Sequence, residues 1–572
     1  MTILKNIVKR LYPEAYSKIY DFIDSELQNS SIKNDNKEWY KEMNLYVVYP
    51  DSFCDDNKCD LSTLEGKIPY LKDLGFNAIH VLPFLKSPMI DMGFDVSNYL
   101  SVRYEIGGNE AFDKLIETAQ RNNINIFADI ILNHVSYRHD WFQKAVSGDL
   151  KYRDYFAWSK TRPEFIKKFK DEDGVWARYL IDNEERDIYV IFPEQCGEIP
   201  HWYKAEDGNW YYHTFYPHQI DTNWSNADVF LEYAKILMYW ARKGVSFRLD
   251  AIPFIGKDIK NGLLKDDNRT HLIVTALNII VKTVNEHSIF LAEACVPSQD
   301  LKKYFETDGI VESECCYNFD LSVALWIALL TGETSKIWEV LNKHLEDIPD
   351  FACWVNFLRN HDEVSLEEVE PEIRKELYEK MAKGGLGFRD GFGVSGRTAS
   401  FLDGNPAKIV CAYFLLDSLP GVPAVIYGDE IGKENDFDYM KLMTQKKIET
   451  SGDKNIKDDT RDINRGQIKN SELMQPHSQK IYSDFCKVFN ARNECIDFFN
   501  VKPEKIETKK GVFSCIYKVE NKELVVLVNL NDYPLELEVN NGLHLKASIN
   551  GATYQKGVVQ LSQYGGIWLS NS

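Results

Sequence analysis

Three carboxylates in this 572-residue chain stand where short apolar runs end: Asp250 closes VSFRLD, Glu293 follows IFLA, and Asp362 follows WVNFLRNH. A further run, NIFADIILNH, carries Asp129 and ends in Asn133 and His134. If these runs are parallel strands whose C-terminal ends share one face, the three carboxylates meet in one cleft. Cleaving a glycosidic bond through an oxocarbenium-like transition state needs such a set. One carboxylate attacks the anomeric carbon, one carboxylic acid protonates the departing oxygen, and a separation of about 5 Å gives retention of configuration. Arg248 lies two residues before Asp250, hence on the same strand face, and its charge is expected to keep Asp250 ionised as a nucleophile. Glu293, among negative neighbours, is expected to keep a proton and act as the acid. A single acid at a strand end more often caps a helix or pairs with lysine or arginine. Three in this order read as a catalytic set.

The elements that must position them follow from periodicity. Eight β-rich runs begin near residues 45, 78, 125, 245, 289, 314, 354 and 422, separated by helix-length segments. That alternation predicts a closed (β/α)8 TIM barrel rather than an open sheet. About 110 residues rich in Trp, Tyr and charge separate the third run from the fourth, which predicts a small inserted domain. Residues 1–40 read as a helical extension ending in a polar linker, with apolar residues at helical spacing (Ile3, Ile7, Leu11). After a last helix near SQKIYSDFCKVFNARN, alternating runs predict a C-terminal antiparallel β-sandwich. The division is therefore 1–40 extension, 41–134 barrel, 135–221 insertion, 222–499 barrel, and 500–572 sandwich.

Composition narrows the function. With 44% hydrophobic, 27% charged and 13% aromatic residues the chain is globular. A net charge of -20, without a basic block, excludes nucleic acid as a partner. No apolar run is long enough to span a bilayer, so no membrane partner is expected, and the opening residues lack the apolar core of a signal peptide. Eleven scattered cysteines, an odd count, do not read as a disulfide framework, which predicts a cytoplasmic protein. Cys54 and Cys59 lack neighbouring ligands for a zinc site. The partner expected is a small-molecule sugar; oligomeric state is not legible.

The stretches DIILNH from Asp129, FRLDA around Asp250, FLAEA around Glu293 and FLRNHDE around Asp362 resemble the four signature regions of the α-amylase superfamily, glycoside hydrolase family 13. MGFDVSNY after the second run, HQIDTNW at 218–224 and LPGVPAVIYGDEIG from Leu419 extend the resemblance over about residues 41–500. It implies Asp250 as nucleophile, Glu293 as acid/base and Asp362 as a third carboxylate gripping sugar hydroxyls. It also implies that His134, Arg248 and His361 line the same glucose subsite. Phe94 stands where most relatives stack a Tyr on the sugar; its other reading is packing at the barrel rim. Many relatives carry a calcium loop of alternating acids after the first strand, whereas CDDNKCD is shorter and lacks that spacing, so no metal and no cofactor are expected.

Subfamily signals diverge. IPDFACWVNFLRNHDEVSLE and the run up to YGDEIG resemble trehalose synthases and amylosucrases; TRDINRG, after ENDFDYM, resembles sucrose phosphorylases and again amylosucrases. In short-substrate relatives an Asp after the second strand pairs with an Arg on a late loop and closes the pocket beyond one glucose. Asp91 and Arg461 are the candidates, the alternative being unrelated surface charges. The expectation is a retaining α-glucosidase or transglucosidase that acts on sucrose, maltose or trehalose through a covalent glucosyl-enzyme intermediate. A disaccharide phosphorylase releasing α-glucose 1-phosphate and a non-catalytic sugar-binding member are the alternatives. A long-chain endo-amylase would need an open groove between residues 135–221 and 433–470.

Overall fold

Strands enclosed by a ring of helices have both faces buried and read as continuous apolar runs. The computed structural model describes residues 2–27, 32–33, 36, 38–55, 58–194, 196–257, 268–346, 348–367 and 369–572. In it the eight runs form β1 (Leu45–Val48), β2 (Ala78–Val81), β3 (Asn125–Ile131), β4 (Ser246–Asp250), β5 (Phe290–Ala292), β6 (Cys315–Tyr317), β7 (Cys353–Phe357) and β8 (Val422–Ile426). They pair in parallel in chain order, and β8 returns to β1 (Ala424 opposite Leu45) to close the barrel. Every residue of β4 and β7 is buried. The β3–β4 register sets Arg248 opposite Asp129, so these polar side chains share the barrel interior.

The helices used below are α1 (Thr2–Leu11), α2 (Tyr16–Leu27), α3 (Ala227–Arg242), α4 (Asn268–Val284), α5 (Phe319–Thr331), α6 (Ser335–His344), α7 (Pro371–Met381), α8 (Pro406–Asp417) and α9 (Pro476–Glu494). α1 buries Leu4, Ile7, Val8 and Leu11, one helical face, in the same core as the barrel helices. α3 begins where the Asn226 side chain accepts from the Asp228 N–H, and α8 where Asn405 does the same for Ala407 and Lys408 ahead of a first-turn proline.

Between β3 and β4 the chain forms two three-stranded antiparallel sheets, one of Phe165–Lys170, Val175–Ile181 and Glu184–Tyr189, the other of Trp158–Ser159, Trp202–Lys204 and Trp210–Tyr212. They share a small core of their own that includes Ala177, Tyr179, Ile188 and Tyr212. The segment leaves and re-enters the barrel through paired strands, His134 opposite Asp221. Buried Lys257 fastens this junction, 2.8 Å from Asp221 Oδ2 and 2.5 Å from Asn133 Oδ1. After α9 a five-stranded sheet packs on a three-stranded one through Val525, Leu527, Val559 and Leu569. The alternate residues Phe513, Cys515, Tyr517 and Trp568 face the barrel core instead.

The cysteine reading needs one correction: Cys54 and Cys59 are joined by a disulfide, and the other nine cysteines are thiols. A loop that turns back within five residues brings the two Cα atoms to 4.4 Å, inside bonding range, which no count of cysteines conveys. Among the described residues, no helix is long and apolar enough to cross a membrane.

Candidate active site

The site is assembled around Arg248. Its guanidinium lies 2.8 Å from Asp129 Oδ1 and 2.5 Å from Asp250 Oδ1 through Nη1, and 2.6 Å from Glu293 Oε1 through Nη2. Ala251, in left-handed backbone (φ 48°), turns its N–H onto Glu293 Oε2 at 2.9 Å. His80 on β2 braces the far oxygen of Asp129 at 3.1 Å.

Three buried carboxyls thus share one cation. Burial raises the pKa of Asp250 well above the usual carboxylate range, against the lowering by Arg248 and with Glu293 and Asp129 adding to the rise. Glu293 is raised as well, by burial first, against Arg248 and with Asp362 adding. Ionising all three would leave two uncompensated charges, so the Asp250–Glu293 pair titrates as a unit that retains one proton.

Asp362 follows β7 and is held differently. Oδ1 accepts from Arg461 Nη1 at 3.0 Å and Arg465 Nη2 at 2.9 Å, and Oδ2 lies 3.1 Å from His361 Nε2. Burial would raise its pKa, but His361 and then the two guanidiniums hold it well below the usual range. Since burial lowers His361 itself, the arginines supply the lasting charge. Burial likewise pushes His134 down to about 4, leaving a neutral imidazole whose Nε2 lies 3.2 Å from the Phe94 carbonyl oxygen.

Asp91 and Phe94 come from the loop after β2, where Met92 (φ 47°) and Gly93 (φ 99°) force a sharp turn. A side chain at Gly93 would meet Pro83 at 2.8 Å. Asp95 holds the loop by accepting from Ser87 Oγ (2.7 Å) and the Ile90 N–H (3.1 Å). Phe94 stacks on His361, with centroids 5.0 Å apart and planes 12° from parallel. Arg461 Nη2 lies 3.3 Å from Asp91 Oδ1 and also donates to Tyr216 Oη and Asp459 Oδ2, both at 2.8 Å. All nine residues anticipated from the sequence therefore fall into one connected cluster. A pocket of about 120 Å³ opens from it, lined by Glu293, Asp362 and Arg461 and by Phe192, Phe215 and Phe254.

With this geometry in view, comparison with known proteins is decisive for the family. The model of the α-amylase catalytic domain matches residues 47–382, more than half of the chain. The chain belongs to the α-amylase family. Among the relatives of this α-amylase-family chain, a trehalose synthase of Thermus thermophilus is 32% identical over 400 residues, 69% of this chain and 38% of that protein. A trehalose synthase/amylase of Mycobacterium tuberculosis is 31% identical over 414 residues, 69% of this chain and 63% of that protein. The chain thus spans less than two thirds of the length of either relative. Among solved structures, the α-amylase from H. orenii superposes with a TM-score of 0.69 at 20% identity, covering 93% of this chain and all of that one; this likeness concerns the fold.

Several residues of the cluster were not assigned from the sequence. Gln219 Nε2 donates to Asp91 Oδ2 at 2.8 Å, Asp459 brackets Arg461, and Arg465 holds Asp362. Gln219 and Arg465 lie inside HQIDTNW and TRDINRG, so the motifs carried a signal that spacing alone did not convert into roles. Glu363 and Arg389 line the pocket too, 3.7 Å apart. Burial, then Asp362, pushes Glu363 up to about 7 against Arg389. Arg389 belongs to no motif.

The described residues of CDDNKCD do not fit the calcium loop of many relatives. In the described part of CDDNKCD the cysteines are bonded to each other, and Asp60 accepts from the Ser62 and Thr63 N–H groups while pairing with Lys58 at 2.6 Å. These donors are already engaged in capping and ion pairing.

Proposed function

We propose that the chain is a retaining glucosyl-transferring enzyme acting on short α-glucosides. In this reading the Asp250 carboxylate attacks C1 of a bound glucosyl unit while the proton retained by the pair is delivered from Glu293 to the departing oxygen. A covalent glucosyl-enzyme ester forms, which water or a second sugar then opens with Glu293 as base. The anchoring of both carboxyls on adjacent nitrogens of Arg248 supports the close pair, about 5 Å, that retention requires. Asp362, ionised by two arginines, would hold the sugar hydroxyls, and Phe94 would offer its apolar face to the ring. His134 and His361, neutral at pH 7, would complete the subsite.

The observation that carries the preference for short substrates is the Arg461 bridge, which ties Asp91 and Tyr216 to Asp362 and narrows the cleft beside the carboxylates. Maltose and trehalose are the first candidates, since the trehalose synthases are among the relatives. Phosphate as acceptor is weaker, because the arginines of the stretch that suggests it are engaged by Asp91, Asp362, Asp459 and Asp462. We read residues 135–221 as the domain that walls the site, and the nine thiols as supporting a reducing compartment, against which the Cys54–Cys59 bond speaks.

The test follows anomeric proton signals by NMR in sucrose, maltose and trehalose, with and without phosphate, for wild type and Asp250→Asn. Consumption of one sugar by wild type alone is expected, with α-configured product first. Equal turnover by the variant would overturn the nucleophile assignment, and sugar binding without turnover in wild type would make this a non-catalytic member.

A further inference from the structure

Strand β2 reads AIHV, one polar residue in an apolar run, and that residue, His80, is buried. A buried imidazole needs partners. Its Nε2 lies 3.1 Å from Asp129 Oδ2 on β3, and its Nδ1 lies 3.4 Å from Tyr317 Oη on β6. An ionised carboxylate only accepts, so the ring hydrogen sits on Nε2 toward Asp129, and the Tyr317 hydroxyl donates to Nδ1. Burial lowers the pKa of His80 against the pull of Asp129, with Arg248 acting in the same direction as burial, so the ring is a neutral donor. The other oxygen of Asp129 accepts from Arg248 Nη1, which also holds Asp250, while Nη2 holds Glu293.

Where these three carboxyls keep a proton matters for the chemistry. The Asp129 side chain has no exposed surface, whereas Asp250 and Glu293 keep 11% and 16% of theirs. A proton on Asp129 is therefore out of reach of a sugar, and one on Glu293 is not. Burial would raise Asp129, but Arg248, then His80 and then His361 hold it below the usual carboxylate range, while Asp250 and Glu293 are raised. Arg248 is common to all three carboxyls, and the His80 hydrogen bond goes to Asp129. A proton added to Asp129 would displace that hydrogen bond or force the imidazole into its other tautomer, which the Tyr317 hydroxyl opposes. We propose that His80 is a positioning residue that keeps Asp129 ionised and so assigns the proton of the carboxyl cluster to the Asp250–Glu293 pair, where Glu293 delivers it to the leaving group. The proposal rests on the glucosyl-transfer reading above. Without the His80 hydrogen, Asp129 competes for the proton, and a neutral Asp129 no longer raises Glu293. The remaining groups that face the cluster, Tyr317, His361 and Asp362, stay in place.

The experiment is the pH profile of kcat/KM for the full chain, between about pH 5 and 9, whose basic limb reports the acid of the free enzyme. Maltose, or whichever of sucrose and trehalose wild type consumes, needs a proton on its leaving group; α-glucosyl fluoride does not. His80→Leu should move the disaccharide limb down by about one pH unit, about a tenfold loss above it, while α-glucosyl fluoride turnover changes by less than about twofold at every pH. His80→Gln, whose amide donates without titrating, should return the limb to within about 0.3 unit of wild type. Should His80→Leu not fold, Tyr317→Phe, which frees Nδ1, should move the limb the same way by about half a unit. A limb unmoved in His80→Leu, or in Tyr317→Phe where His80→Leu does not fold, overturns the assignment and leaves the functional reading intact. Equal losses on both substrates, the mark of a merely structural histidine, overturn it as well, and so does a limb that His80→Gln fails to restore. Failure of wild type to turn over maltose, sucrose, trehalose and α-glucosyl fluoride overturns the functional reading, and the proposal with it.

Discussion

Arg461→Lys tests whether one guanidinium closes the pocket. Arg461 makes five contacts: Nε and Nη2 with Asp459 (3.0 and 2.8 Å), Nη1 with Asp362 (3.0 Å), and Nη2 with Tyr216 (2.8 Å) and Asp91 (3.3 Å). Its guanidinium also lies over the rings of Phe192 and Phe388, 5.1 and 5.0 Å from their centroids. A lysine ammonium is a single point donor that neither forks nor stacks in this way. If it stays with Asp459, the contacts to Asp362 and Asp91 are lost, each worth about 1.5–3 kcal/mol as buried, charge-assisted bonds, or about 3–6 kcal/mol together. Asp362 retains Arg465 and His361 and loses one of three partners, so the cost is divided between stability and the transition state. The expected result is a fall in kcat/KM for the preferred disaccharide of about 100-fold, equivalent to about 2.7 kcal/mol, with unfolding free energy lower by about 2 kcal/mol. Steady-state kinetics and urea unfolding measure the two parts. Asp91→Asn, which removes the longest contact while Gln219 remains in place, should cost less than tenfold. If Arg461→Lys changes neither quantity, or Asp91→Asn is the more damaging, the bridge does not work as described.

Glu293→Gln should lower kcat for maltose by about 10²–10⁴-fold, the range of general acid catalysis, while sparing the first step with α-glucosyl fluoride, whose leaving group needs no proton. Equal losses on both substrates would remove Glu293 from the acid role. Glu430 is buried, accepts from Tyr46 Oη (2.8 Å) and Tyr70 Oη (2.9 Å), and is pushed up to about 7 mainly by burial. Because its folded value is raised from 4.5, its contribution to stability is fully present below about pH 4.5 and is lost as pH rises through 7. The stability difference between wild type and Glu430→Gln should therefore fall by about 3 kcal/mol between pH 4.5 and 8, and a difference independent of pH would refute the assignment.

The barrel was legible because each strand declares itself locally. A run buried on both faces needs apolar residues throughout, and the acids that break the pattern at Asp250, Glu293 and Asp362 mark strand ends without reference to anything distant. The catalytic candidates could be named from contiguous stretches for the same reason. Asp91 and Arg461, 370 residues apart, could be suggested only by resemblance, and Gln219, Asp459 and Arg389 acquire meaning only from what lies beside them. The Cys54–Cys59 bond depends on how tightly a loop turns. The upward shift of Asp250 and Glu293 comes first from burial, against Arg248, and burial cannot be read from the two-residue spacing to Arg248. Residue type and spacing along the chain determine strand order and the chemistry on offer. Which charges crowd together and how far water is excluded from them are decided by tertiary packing, because dielectric surroundings and through-space distance are not properties of any local segment.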